Sequence, residues 1–416
     1  MEIPFSRSPN ALHGVRVLDL TQFEAGTMVT QTLAWLGADV VKIEEPTRGD
    51  QGRFTVTGVP GMDIPGVDSH YFILLNCNKR SATLNLRDAR GKQLLRQMIP
   101  KADVFIENFA PGAIERLGFA YEQVRAINPG IIYAQIKGFA PDSPYARFLA
   151  FDMIAQAMGG LMSVTGEADG PPLRVGCSLG DSNTALHCAI GILAALFQKA
   201  TTGLGQRVEV SMQDAVPDLL RVAYANQYAL GRPAPRTGNQ GFVGTPVAPG
   251  KVYPCKPFGS NDYCYIYCSR ATDKHWELLL KAIGREDLVG DPRYATRVAR
   301  ATNAAEVDQL VENWTRNYTK YEVLQTLGEA GVPVGAVLDT EELMNDPLMR
   351  KRGTFATIQH PARGEMVVPG WPVRMSASPV EVASAPLLGQ HNVEIYGEWL
   401  GLEASEVARL RAEKVL

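Results

Sequence analysis

The segment Leu179-Gly180-Asp181-Ser182-Asn183-Thr184-Ala185-Leu186-His187 sets an acidic side chain at the mouth of an apolar run, CAIGILAALF. Asp181 is the first charged residue after Arg174, and the Ser and Asn that follow it favour a helix start. One chemistry open to it is capping, with the carboxylate accepting hydrogen bonds from the first free amides of that helix. The other is nucleophilic: the same amides and the helix dipole hold a carboxylate ionised where water is scarce, ready to attack a carbonyl. The two readings are compatible.

Two other constellations compete. Gly176-Cys177-Ser178-Leu179-Gly180 matches the G-x-S-x-G elbow of serine hydrolases, which sits between a central strand and a helix that begins at the serine. The preceding DGPPLRV is a poor strand, so Ser178 as a hydrolase or thioesterase nucleophile, with His360 or His391 completing a triad, is the rival reading. The first strand–turn–helix–strand invites a dinucleotide site, with Glu44 as the ribose-binding acid. Its turn, however, carries the single glycine Gly26 where a pyrophosphate needs G-x-G-x-x-G. The six histidines have no metal-ligand spacing, and Cys264 and Cys268 lie in an alternating strand pattern, so no metal is expected. His187, six residues after Asp181, falls on another helical face and reads as packed.

These residues belong to a chain of 416, long enough for two domains. It is 45% hydrophobic and 20% charged, with a net charge of −3 and no basic block, which argues against nucleic acid or an anionic membrane as main partner. No uninterrupted apolar stretch reaches membrane-spanning length, because His187, Gln198 and Lys199 break the run at 183–200. The N-terminus lacks a signal-peptide core, and the six cysteines are scattered. The expectation is a cytoplasmic protein with reduced thiols.

Strands and helices alternate through the first half. VRVLDL (15–20), DVVKIEE (39–45), RSATLNL (80–86), DVFIEN (103–108), GIIYAQIKG (130–138) and the alternating Val208, Val210 and Met212 read as strands. Helices fall at 28–38, near ARGKQLLRQMIPKA, at AIERLGF and through the apolar run after Asp181. That alternation implies an α/β fold with a parallel sheet covered by helices. We expect a large Rossmann-like domain over 1–225, a Pro/Gly-rich linker or glycine loop at 226–245, and a smaller α/β domain at 246–338. Residues 339–416 then return to the large domain.

The motifs GVRVLDLTQFEAG, LGADVVKIEEP, LNCNKRSATLNL, ADVFIENFAPGAIERLGF, IIYAQIKGF, FDMIAQAMGG, LGDSNTALH, TGLGQRVEVSMQDA and APLLGQHN occur in order from about residue 12 to the C-terminus. Together they resemble the class III CoA-transferases (CaiB/BaiF type), with the formyl-CoA:oxalate CoA-transferase branch most similar. The resemblance implies transfer of coenzyme A from an acyl-CoA donor to a free carboxylic acid. Asp181 is then the nucleophile, passing through a mixed anhydride and an aspartyl-CoA thioester. Coenzyme A is a substrate, with no bound cofactor, and the chain is expected to form an interlocked homodimer.

Matching motif positions assign Lys79 and Arg80, Asn108 and Phe109, Arg116 and Leu117, and Lys137 to CoA, with Ala25 near the thioester. Glu24, Phe139 and Phe54 stand at acyl-pocket positions where the formyl-CoA:oxalate branch has Gln, Tyr and Trp. Glu24 also counts as a candidate catalytic residue, and Gly241 belongs to a candidate covering loop with Gly238 and Gly244. An extra acid at position 24 disfavours a compact dianion such as oxalate and predicts a larger or more apolar acid. The related α-methylacyl-CoA racemases use a histidine where this chain has Phe151. Proton exchange at an α-carbon needs a base on each side, so racemisation is not expected.

Overall fold

The computed structural model describes residues 10–55, 64, 66–240, 247–268 and 272–416. Six short apolar strands form one all-parallel sheet: β1 (Arg16–Asp19), β2 (Asp39–Glu44), β3 (Arg80–Thr83), β4 (Val104–Glu107), β5 (Ile132–Lys137) and β6 (Arg207–Ser211). Their spatial order is β3-β2-β1-β4-β5-β6. The expected strands are all present, in the order of a doubly wound nucleotide-binding sheet. In such a sheet β1 and β4 are neighbours whose following helices leave toward opposite faces, and the crevice outside their carboxyl ends is where ligands bind.

The helices that concern the site are α1 (Ala25–Trp35), α2 (His70–Leu75), α3 (Ala89–Met98), α4 (Ala113–Leu117), α5 (Tyr121–Ile127), α6 (Asp152–Met158) and α7 (Leu179–Thr202). Helix α1 begins three residues before the expected start at 28, and Gly26 lets its first turn press against the loops that follow β1 and β4. A Cβ there would lie 2.5 Å from Thr21 Cβ and 3.1 Å from Asn108 Cγ. One face of the sheet is sealed by Leu18, Val41, Ile43, Phe105, Tyr133, Tyr396 and Trp399, among others. The C-terminal helices Asn392–Leu400 and Ala404–Ala412 thereby close the core begun by the N-terminal strands.

Residues 1–159, 176–219 and 347–416 form one compact unit, and 160–175 with 220–346 form a second. The second unit was expected over 246–338; here it also takes in the segment around Leu161–Val164, residues 231–240 of the Pro/Gly-rich stretch and a short helix at Tyr224–Leu230. The Gly238 N–H donates to the Gly166 carbonyl (2.9 Å), and Arg236 Nη2 donates to the Gly170 carbonyl (2.8 Å), which ties that stretch to 165–170. Its sheet is the antiparallel β7 (Gly250–Pro254), β8 (Tyr263–Tyr267) and β9 (Val334–Ala336). Helices Lys274–Ala282, Ala304–Thr315 and Lys320–Glu329 bury Trp276, Val307, Val311 and Val323 against it.

Helix α7 carries the apolar run that follows Asp181. It is continuous over 24 residues and, by length and composition, apolar enough to cross a membrane. It packs instead against α1, β5 and β6, with Cys188, Ala189 and Ile192 buried. Leu186, Ile190 and Phe197, at helical spacing, remain exposed.

Candidate functional site

Within the first unit, a cavity of about 320 Å³ opens at the carboxyl ends of β1, β4 and β5. Gln22–Ala25 follow β1, Asn108–Pro111 follow β4 and Ile136–Gly138 end β5; Gln51, Tyr71, Phe148–Phe151, Asp181 and Met212 complete the wall. Chain topology therefore converges on the switch point between β1 and β4.

Asp181 faces this cavity from the first turn of α7 but is not its cap. The helix starts at Leu179, with Ser178 at the cap position making no side-chain capping bond. Capping comes from α6: Asp152 Oδ1 accepts from the Gly180 N–H at 2.8 Å, and Asp152 Oδ2 accepts from Gln156 Nε2 at 2.7 Å. Gly180 makes this approach feasible, since a Cβ there would stand 2.9 Å from the Asp152 carbonyl. Thus the capping reading of Asp181 gives way to Asp152. The Asp181 carboxylate is left facing the cavity.

Its charge is not held down either. Burial is the largest cause, and the carboxylates of Glu24 and Asp152 add to it, pushing the Asp181 carboxyl up to about 7. The helix dipole, expected to keep it ionised, is outweighed. Glu24, at the cap position of α1, is likewise raised, by burial first and then by Asp152, against hydrogen bonds from Ser178 and Tyr71 that lower it. Among the described residues no three His, Cys, Asp or Glu side chains are gathered as a metal site would need.

The bond to Glu24 also accounts for Ser178. No strand leads into it, and its partner is a carboxylate rather than an imidazole. His187 bonds the Asn183 carbonyl (2.8 Å) and lies 3.4 Å from Asp218; His391 accepts from the Ser81 N–H, and His360 from the N–H groups of Ala362 and Arg363. The elbow geometry is absent.

Of the residues assigned to CoA, Ala25, Asn108, Phe109 and Lys137 line the cavity. Asn108 accepts from the Gln22 N–H and donates to the Gln22 carbonyl, both at 2.8 Å, locking β4's loop to β1's. Lys137 Nζ bridges Glu107 (2.9 Å) and the Phe109 carbonyl (2.6 Å). Arg116 is exposed on α4 just beyond the cavity-lining Pro111, while Leu117 packs on the core.

Lys79 and Arg80 are elsewhere. Lys79 is sealed beneath the sheet, bonding Asn76 Oδ1 (2.7 Å) and the Thr27 carbonyl (3.0 Å) and pairing with Asp19 (3.2 Å). Arg80 pairs with Asp39, Glu394 and Glu398. Burial beside a bonded partner spends Lys79 on the fold, and three carboxylates hold the half-buried Arg80, rather than leaving either for a phosphate. Phe139 is buried behind the wall, its ring 6.5 Å from that of Phe148, and Phe54 is half exposed and outside the cavity. Gly241 and Gly244 lie outside the described residues.

Tyr71, Asp152, Phe148 and Leu149 escaped the sequence reading. Tyr71 has no local signature, because its role exists only once α2 meets the β1 loop. Asp152 did carry a signal, as an acid opening a helix next to the Phe151 position. The Phe151 ring meets that of Phe23 edge-on at 6.0 Å on the cavity wall.

A model of CoA-transferase family III matches residues 12–392, so the chain belongs to that family. It is an enzyme of the CoA-transferase class. It is 46% identical to a formyl-CoA:oxalate CoA-transferase of Streptomyces avermitilis, covering 98% of this chain and 99% of that one. A formyl-CoA:oxalate CoA-transferase of Bradyrhizobium is 41% identical, with 96% of each chain covered. A solved CAIB/BAIF family protein of Brucella suis superposes with a TM-score of 0.83 at 33% identity, covering 94% of this chain and all of that one.

Proposed function

We propose that the enzyme carries CoA between two acids on the Asp181 side chain. The observation that carries this reading is a carboxylate on the first turn of α7, open to the switch-point cavity, where burial and two neighbouring acids push it up to about 7. An Asp181 oxygen attacks the donor thioester carbon, and the C–S bond breaks to give a mixed anhydride and CoA thiolate. The thiolate attacks the Asp181 carbonyl, forming an aspartyl-CoA thioester and releasing the donor acid as carboxylate. The acceptor carboxylate then attacks that thioester, and the same two steps run in reverse. One CoA thioester is exchanged for another, so no nucleotide is consumed.

Each tetrahedral intermediate needs oxyanion donors, and losing one costs ~3–4 kcal/mol. The first amides of α1, left without a side-chain cap at Glu24, stand at the cavity and suit this task. Asn108, Phe109 and Lys137 line the CoA path, with exposed Arg116 reaching for its phosphates. Glu24 beside Asp181 adds negative charge, and Phe23, Phe109, Phe148 and Phe151 add apolar wall. We therefore assign a bulkier, more apolar acceptor than the oxalate named for the relatives. A second copy of the chain covers the exposed Leu186, Ile190 and Phe197 stripe, which light scattering on the purified protein tests as a dimer mass.

Incubation with a donor thioester and no acceptor, followed by hydroxylamine, tests the central step. Mass spectrometry should find Asp181 as its hydroxamate; an unmodified Asp181 with turnover intact overturns the assignment.

A further inference from the structure

Phe23 is the bulky residue that carries Glu24 into the cavity, and its backbone is left-handed, with φ 59°. A side chain with a Cβ resists that conformation unless its surroundings impose it. The surroundings here are two buried charges. Asp50 Oδ1 accepts from the Phe23 N–H (3.1 Å) and from the Gly52 N–H (2.8 Å). Asp50 Oδ2 pairs with Lys42 Nζ at 2.8 Å, and both side chains are at most 1% exposed. Lys42 Nζ also donates to the Thr21 carbonyl at 2.7 Å.

The pair thus grips the turn on both sides of Gln22, whose own amide and carbonyl are held by Asn108. Beyond the turn, the Thr27 hydroxyl bonds the carbonyls of Phe23 and Glu24. Asp50 is itself fixed, because its N–H donates to Glu44 Oε2 at 2.9 Å. Neither Lys42 nor Asp50 lines the cavity.

We infer that Asp50, braced by Lys42, is a positioning residue that holds Phe23 left-handed and so aims Glu24 and the first amides of α1 at Asp181. This rests on the transfer reading for its consequence in rate. Without the Asp50 anchor, Phe23 relaxes, and Glu24 and the α1 amides shift from the reacting carbonyl. Small displacements of that kind cost up to ~100-fold.

The test compares Phe23→Ala with Phe23→Gly, which lose the same ring but differ in tolerance for positive φ. With Asp50 present the two should differ by ~3-fold or less in kcat/KM, since the anchor imposes the turn on either. With Asp50→Ala the glycine variant should exceed the alanine variant by ~10-fold or more, the difference lying in kcat rather than KM. An equal gap in both backgrounds overturns the inference. Hydrogen exchange of peptides covering 20–27 gives a readout independent of turnover. Asp50→Asn, which keeps an oxygen acceptor for the Phe23 amide, should stay protected while Asp50→Ala exchanges faster. Equal protection in both overturns it too. A wild-type protein that fails to transfer CoA sinks the transfer reading alone, and the exchange result still decides the positioning role.

Discussion

Two groups of buried acids sit within the same unit and behave oppositely. At the carboxyl ends of β1 and β2, Asp19 and Glu44 are sealed from water, yet both carboxyls lie below their ordinary values. Burial raises them, but Lys79 and Lys42 flank Asp19, and Arg53 grips Glu44 with two bonds of 2.7 Å. At the cavity, Glu24 and Asp181 are less buried and are raised, by burial first and then by the carboxylates each faces, with no cation to offset them. Desolvation acts on both groups; the supply of cations decides the direction. The fold spends Lys42, Arg53 and Lys79 on the first group and leaves the second uncompensated. Uncompensated, buried and open to a cavity is the condition of a reactive carboxylate.

Reactivity gives the sharpest way to break this contrast. Asp181→Ala should lower kcat by ~10⁴-fold or more, as loss of a covalent nucleophile does, with folding intact. Steady-state transfer assays beside a thermal melt check both halves; residual activity within tenfold of wild type removes Asp181 from the chemistry. The ion-paired group should answer in stability instead. Arg53→Met leaves Glu44 and Asp68 buried without their shared cation, at 2.7 Å from each in the native protein. Breaking such a pair costs ~3–5 kcal/mol, read as a fall in the urea midpoint near neutral pH. An unchanged midpoint would mean that the cations do not hold this region together.

The sequence showed the two groups unequally. All six strands were legible, because apolar runs bounded by turn residues report burial directly, and Asp181 stood out by its isolation before an apolar helix. Lys79 misled, since its motif position lies at the sheet but its ammonium turns inward to Asp19 and the Thr27 carbonyl. A lysine's long stem allows either fate, and sequence spacing does not choose between them. Asp152 took the capping role expected of Asp181 because α6 and α7 meet at Gly180, a contact between helices more than twenty residues apart in the chain. Tyr71 bonds Glu24 only after α2 folds over the β1 loop. Local pattern recovered the elements and singled out the cavity-lining Asp181; partners supplied by distant helices were out of its reach.

A smaller effect should sharpen the cavity side. Glu24→Gln keeps the size of the side chain and removes one of the charges that raise Asp181. If Asp181 is the attacking group it must be ionised, so kcat/KM should climb with pH through about 7 in the native enzyme, and that limb should move to lower pH in the variant. The selectivity for a monocarboxylic acceptor over oxalate should fall by ~10-fold, as repulsion of the second carboxylate is relieved. Matched pH–rate profiles with formyl-CoA and both acids check this. Oxalate used as fast as any other acid by the native enzyme would end the charge argument for acceptor choice.

The smallest effect lies in how stability follows pH, and here the two groups should separate by sign. Asp181 has a raised value in the folded protein and an ordinary one, near 4, in the unfolded chain. Between about 4 and about 7 the folded state therefore holds a proton that the unfolded state has released, so this group makes stability fall as pH rises. Asp19 and Glu44 run the other way, adding stability that is present above their unfolded values and lost as pH falls through the lowered folded ones. Asp181→Asn removes only the first slope. Its melting temperature should gain on the wild type by about 2 °C between pH 5 and pH 8, with no such gain for a variant remote from the cavity. A difference that stays flat across that range would show Asp181 titrating alike in both states, and the cation-poor cavity would then be no different from its cation-rich neighbour.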